Sequence, residues 1–288
     1  MDAATVGVLR DVTLLVWLAM LLGIAAYKWV RVTRPSACWN LGGRVEARPY
    51  AIQDGIMVAA ISLLLLGGLS QSPPDTAAMA AAADSAPPEL NVISMLTSIA
   101  IQLIIAALLL FYLSAARALN PVELFGMKNV RPLIAVSMGF GLILLTIPIV
   151  NGFAGGIMHW MKGFWPEVGM QDSILAFRAS KDPMAKALLI VAAVIIAPLV
   201  EEMMFRGFIY GVVKRFTDGF FAAVCSAMLF AVVHYHVGSM FPLMLLALIL
   251  CAVYEMTGSL LVPMIMHGFF NATSILVMLF FPQLQQVP

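Results

Sequence analysis

Apolar runs of about 20 residues, parted by short polar connections, fill most of this chain. A bilayer offers backbone N–H and C=O groups no partners, so such a chain spans it only as helices or as a closed barrel. Barrel strands alternate in hydrophobicity over about 10 residues, whereas these runs are uniformly apolar and about twice as long. The expected fold class is therefore all-α, a polytopic bundle of transmembrane helices. Composition agrees. Of 288 residues, 62% are hydrophobic and 11% are charged, where a soluble domain carries about 25% charged residues. A net charge of +1 gives no footing for a nucleic-acid partner.

Eight apolar segments are expected, near 7–30, 51–71, 91–116, 133–158, 185–213, 219–236, 240–256 and 260–281. The first reads as a retained helix. Asp2 and Asp11 offset Arg10 before it, and Tyr27-Lys28-Trp29 ends it without a small-residue cleavage site. Breaker residues mark the connections: an Ala/Pro-rich loop over 72–89, Asn120-Pro121, Arg131-Pro132, Asp182-Pro183, and a tight turn at Thr217-Asp218-Gly219. No internal repeat is visible. Lys28, Arg31, Arg34, Arg44 and Arg48 follow the first segment, Arg117, Lys128 and Arg131 the third, and Lys214 and Arg215 the fifth. The positive-inside rule then puts the odd-numbered connections in the cytoplasm and both termini outside. The fourth connection, with Lys162, Arg178, Lys181 and Lys186, runs against that pattern. The cysteines Cys38, Cys225 and Cys251 are unclustered. They supply neither a disulfide framework nor a thiolate metal site.

Against this apolar background a few ionisable residues stand out. Glu201 and Glu202 lie in the fifth segment, His234 in the sixth and His267 in the eighth. A charge at the bilayer centre costs roughly 2.5–3.5 kcal/mol even on lenient scales, so such residues are expected to act together. Glu201 and His234 are equally far along the chain from the Thr217-Asp218 turn. In two continuous antiparallel helices they would share one depth, about 25 Å from the turn. His267 and Asn271 are four residues apart and share one helix face. The four can converge. Burial disfavours a charged carboxylate and tunes it toward general-base work near neutral pH. A neighbouring imidazole can share the proton, and a second imidazole with an amide can donate to an oxyanion. That set suits water attack on a carbonyl. Equally, Glu201, His234 and His267 could hold a divalent ion such as zinc with a position left for water.

Other residues have plainer readings. Glu202 and Arg206 sit four apart and read as a structural ion pair. Phe230, one turn before His234, reads as packing. His236 reads as an interfacial residue facing elsewhere, and His159-Trp160 as an interfacial anchor. Asp54 is expected to reach the headgroups, and Glu255 to be solvated at a helix end.

Taken as motifs, Glu201-Glu202-x-x-x-Arg206, Phe230-x-x-x-His234 and His267-x-x-x-Asn271 resemble the three ordered motifs of the CPBP family. That family comprises type II CAAX prenyl endopeptidases and bacteriocin-processing or self-immunity (Abi) proteins. The resemblance covers about 183–281. It divides the chain into N-terminal helices without a recognised motif (1–132) and a CPBP-like catalytic bundle (133–288). It implies a multi-pass protein of a bacterial inner membrane that cleaves a membrane-associated or lipidated, CAAX-like protein or peptide. It implies Glu201 as the base assisted by His234, with His267 and Asn271 holding the oxyanion. Glu202, Arg206 and Phe230 would be supporting residues, and the mechanism either metal-dependent or carried by glutamate alone. Two rival classes remain: a non-catalytic immunity or scaffold protein that binds a peptide in the same cavity, and a proton-coupled transporter.

Overall fold

Capping residues start the helices where the breakers place them. A computed structural model of the protein describes residues 3–34, 43–67, 90–163 and 172–281. Cys38 and the loop 72–89 lie outside these. The elements are α1 (Ala3–Thr33), α2 (Ile52–Gly67), α3 (Val92–Ala116), α4 (Pro121–Leu124), α5 (Pro132–Lys162), α6 (Asp172–Ala179), α7 (Pro183–Phe216), α8 (Gly219–Val232), α9 (Val237–Thr257) and α10 (Leu261–Phe280). The Asp182 carboxylate accepts from Met184 N at 2.9 Å ahead of Pro183. Asp218 accepts from Phe221 N at 2.8 Å. Each satisfies an N–H that the first turn leaves without a partner. Gly258, at φ +64°, ends α9 in the left-handed region.

The protein is an all-α membrane helix bundle. Among the described residues, α3, α5, α7, α9 and α10 are long and apolar enough to cross a bilayer. The other apolar stretches, Leu18–Val30, Ile52–Leu64 and Gly219–Val232, are shorter. Length and composition together thus give five candidate spans among the described residues, where the sequence suggests eight. The buried core joins Phe205, Phe208, Ile209 and Tyr210 of α7 to Leu229 and Phe230 of α8 and to Cys251 and Tyr254 of α9. Met20 of α1 and Val58 of α2 belong to the same cluster. On the other side α10 packs against α5 and α7.

The sixth segment is shorter than its hydropathy suggests. It ends at Val232, and no Pro or Gly between Val232 and Val237 marks the break. Local hydrogen bonding makes it instead. The His234 ring turns back onto Phe230 O at 2.7 Å, Tyr235 takes φ +52°, and His236 caps α9 by accepting from Ser239 N at 3.1 Å. His234 and His236 therefore sit on a turn and not on a helix.

The odd-numbered connections meet at one end of the bundle, where one sequence expectation is corrected and another is completed. Asp54 is not at the headgroups. It is fully buried and receives Arg117 Nε and Tyr112 Oη, each at 2.8 Å. Glu255 keeps part of its side chain exposed, as expected, but is also paired: it meets the buried Lys214, accepts from Tyr210 Oη, and faces Val45 N. In both cases the countercharge comes from a residue remote in sequence, which hydropathy cannot reveal. The end is closed by Leu260 N donating to Phe125 O at 3.0 Å. Gly126 lies here at φ +60°, and a Cβ on it would fall 1.9 Å from Gly258 O. Gly126→Ala should lower stability by more than the ~1–2 kcal/mol of a left-handed backbone, read as a fall in melting temperature in detergent. An unchanged melting temperature would mean that this contact does not hold in solution.

Candidate active site

Helix α7 is widened twice, and both irregularities frame the two glutamates. Residues Ala192–Ile196 form a π-helical turn. Pro198 follows, with no N–H to give the carbonyl four residues back, Val194 O. The freed carbonyls face α10. Asn271 Nδ2 donates to Ala193 O at 2.8 Å. Gly268 brings α10 so close that a Cβ on it would lie 2.7 Å from Val194 O. A second π stretch, Met203–Tyr210, starts directly after Glu202. Ser226 Oγ of α8 donates to Phe205 O at 2.8 Å, and Tyr50 Oη to Gly207 O at 2.6 Å. Every such bond meets the requirement that buried backbone groups be paired, and π turns of this kind cluster at functional sites.

Successive residues on a helix point about 100° apart, so Glu201 and Glu202 enter different surroundings. Glu202 is fully buried. Its Oε1 lies 2.9 Å from Arg206 Nη1 and 2.9 Å from His267 Nδ1. Arg206 is also fully buried, with its guanidinium 4.4 Å from the centre of the Phe230 ring. That ring makes an edge contact with the His267 imidazole and lies against His234, at centroid distances of 5.7 and 4.7 Å. The predicted Glu202–Arg206 pair therefore exists. Phe230 does more than fill space, since it backs the guanidinium and both imidazoles.

Glu201 faces a cavity. Its side chain is 25% exposed, and Oε2 lies 3.8 Å from His267 Nε2, within ion-pair range but beyond hydrogen-bond range. The cavity, of about 690 Å³, is lined by Glu201, His234, His267, Asn271, His236 and Gln102 among others. All four residues singled out as catalytic candidates therefore border one space. Equal depth for Glu201 and His234 assumes two continuous helices, and α8 stops at Val232, two residues before His234. It is the His267 imidazole that comes within ion-pair range of Glu201.

Tautomers follow from the partners. Phe230 O can only accept, so His234 carries its proton on Nδ1 and, when neutral, presents the Nε2 lone pair. His267 donates from Nδ1 to Glu202 and turns Nε2 toward Glu201. Both rings are thus oriented through one nitrogen, as imidazole ligands of metals are. Even so, among the described residues no three His, Cys, Asp or Glu side chains are grouped as a metal-ligand set, and Glu201, His234 and His267 as placed are not one.

Residues 183–273 match the family model described as Type II CAAX prenyl endopeptidase Rce1-like. This match supports the resemblance of these residues to the CPBP family. Among curated proteins, "Putative membrane peptidase YdiL" of Bacillus subtilis (strain 168) is 27% identical over 129 residues, 45% of this chain and 51% of that protein. The chain thus spans about half the length of that relative. No solved structure matches it. The matched region contains all three motifs, of which Glu201, His234, His267 and Asn271 line the cavity.

Two cavity residues escape a motif reading. His236 was expected to face elsewhere, yet it borders the cavity while capping α9. Gln102, on α3, lies outside the CPBP match. Its Oε1 is buried without a hydrogen bond, in the wall of the same cavity. The available signal was an amide in the middle of an apolar run, a rare and commonly functional placement in a membrane span.

Proposed function

We propose that this integral membrane protein is an intramembrane endopeptidase. It hydrolyses a peptide bond in a membrane-associated or lipidated, CAAX-like protein or peptide, in a bacterial inner membrane. The observation that carries the reading is the partition of the two glutamates. Glu202 is neutralised in the wall by Arg206, while Glu201 alone presents a carboxylate to the cavity beside an oriented imidazole. In the proposed step Glu201 takes a proton from water as the water oxygen bonds to the substrate carbonyl carbon. The carbonyl oxygen gains negative charge. The C–N bond then breaks, and the proton held by Glu201 passes to the leaving nitrogen. His234 positions the water through its Nε2 lone pair. The oxyanion is met by the second N–H of Asn271, whose first is held by Ala193 O, and by His267 when it is protonated on both nitrogens. Matches to a CAAX endopeptidase model and to a membrane peptidase support this reading.

A divalent ion such as zinc would have to be held by Glu201, His234 and His267. Since these are not grouped as ligands, water activation is assigned to the carboxylate. Cleavage of a quenched fluorescent lipidated peptide by purified protein should then persist through a 1,10-phenanthroline titration. Loss of activity on chelation, with recovery on added zinc, would replace the glutamate-only mechanism by a metal-dependent one. Failure to cleave any lipidated peptide, together with tight binding of one, would favour an immunity or scaffold protein.

A further inference from the structure

On the side away from the glutamates, α1, α2 and α7 enclose a second crevice of about 560 Å³. One wall is a stripe of α1 at helical spacing, Met20, Ile24 and Lys28, and another is Gly55 and Ala59 of α2. Val212 of α7 lies between them. The crevice is apolar apart from Lys28 at its mouth and the buried hydroxyl of Ser62, deeper along α2. Gly55 and Ala59 leave space that larger side chains would fill. Lys28 stands exposed at the end nearest the α1–α2 connection, and no acidic residue lines the crevice. From Met20 to Lys28 the wall runs about 12 Å along the helix, close to the ~15 Å depth of one leaflet's hydrocarbon. The connection beyond it carries Arg34, Arg44, Glu46 and Arg48, none of which lines the crevice, so the charge at its rim is that of Lys28. An apolar slot one leaflet deep with a cationic rim is complementary to one kind of molecule in its surroundings. The hydrocarbon fits the acyl chain, and a phosphate at headgroup level fits the ammonium.

We infer that the α1–α2–α7 crevice is a binding site for an anionic phospholipid, with an acyl chain between α1 and α2 and the headgroup phosphate on Lys28. The inference is independent of the proposed peptidase activity.

The test uses full-length protein in phosphatidylcholine nanodiscs. They are doped with a trace of phospholipid bearing a diazirine in mid-chain and carrying either a glycerol or a choline headgroup. After photolysis, cross-links are mapped by peptide mass spectrometry. Labelling by phosphatidylglycerol at α1 and α2 should exceed that by phosphatidylcholine about fivefold, the effect of one basic residue at the membrane surface. Lys28→Gln should erase the headgroup preference. Ala59→Phe should remove labelling in the crevice for both lipids and leave labelling at the lipid-facing Leu133 and Phe220 unchanged. Equal labelling by both headgroups in the wild type would overturn the site, as would crevice labelling that survives Ala59→Phe. Both substituted positions are exposed at the bundle surface, so folding does not confound the comparison.

Discussion

Glu201→Gln is expected to lower the turnover of a lipidated peptide by about 10²–10⁴-fold, the usual contribution of a positioned general base. Gln matches Glu in shape but cannot take a proton. The Glu201 side chain is partly exposed to the cavity and its nearest charged neighbour is His267 at 3.8 Å, so the substitution removes no buried ion pair. Melting temperature and expression should therefore stay close to wild type, and substrate binding should persist. A Glu201→Gln protein with near-normal turnover would sink the role given to this residue. If Glu202→Gln slowed turnover more at equal stability, the roles of the two carboxylates would be reversed.

The second large effect concerns the wall behind Glu201. Glu202 and Arg206 are both fully buried and 2.9 Å apart. Arg206→Met strands the Glu202 carboxylate, and an uncompensated buried charge costs about 3–5 kcal/mol. The single variant should therefore melt far below wild type. Glu202→Leu/Arg206→Met removes both charges together, and exchanging a buried pair for apolar groups is often neutral or stabilising. Stability should return. Activity should not, because His267 Nδ1 loses its acceptor and the ring is no longer held toward Glu201. The expected signature is a recovered melting temperature with kcat still depressed and KM little changed. Recovery of kcat in the double variant would show that Glu202 serves stability only and does not position His267.

Fold class was legible because it follows from an energy rule acting on each segment alone. A long apolar run must bury its backbone hydrogen bonds within itself, so it becomes a helix. Helix starts at Asp182-Pro183 and Asp218 were legible too, since a cap is a contact between near neighbours. The His267/Asn271 face followed from helical spacing, and both residues do border the cavity.

What stayed hidden in the sequence depends on which segments touch. Hydropathy treats Asp54 and Glu255 as helix-end charges in reach of water, and only packing supplies Arg117 and Lys214 to neutralise them. The break after Val232 carries no breaker residue, because a histidine ring bonding back to its own chain makes it. Spacing relates Glu201 to His234 but cannot show that His267 lies between the two glutamates, which depends on how α10 packs against α7. The sequence by itself determined that this is a helical membrane bundle and which residue types it gathers for chemistry. Only the tertiary structure decided which carboxylate faces the cavity and which is locked in the wall. The reason is that the arginine of Glu202 comes from one turn along its own helix and is legible as spacing, whereas only packing against α10 sets His267 beside Glu202 and leaves Glu201 facing open space.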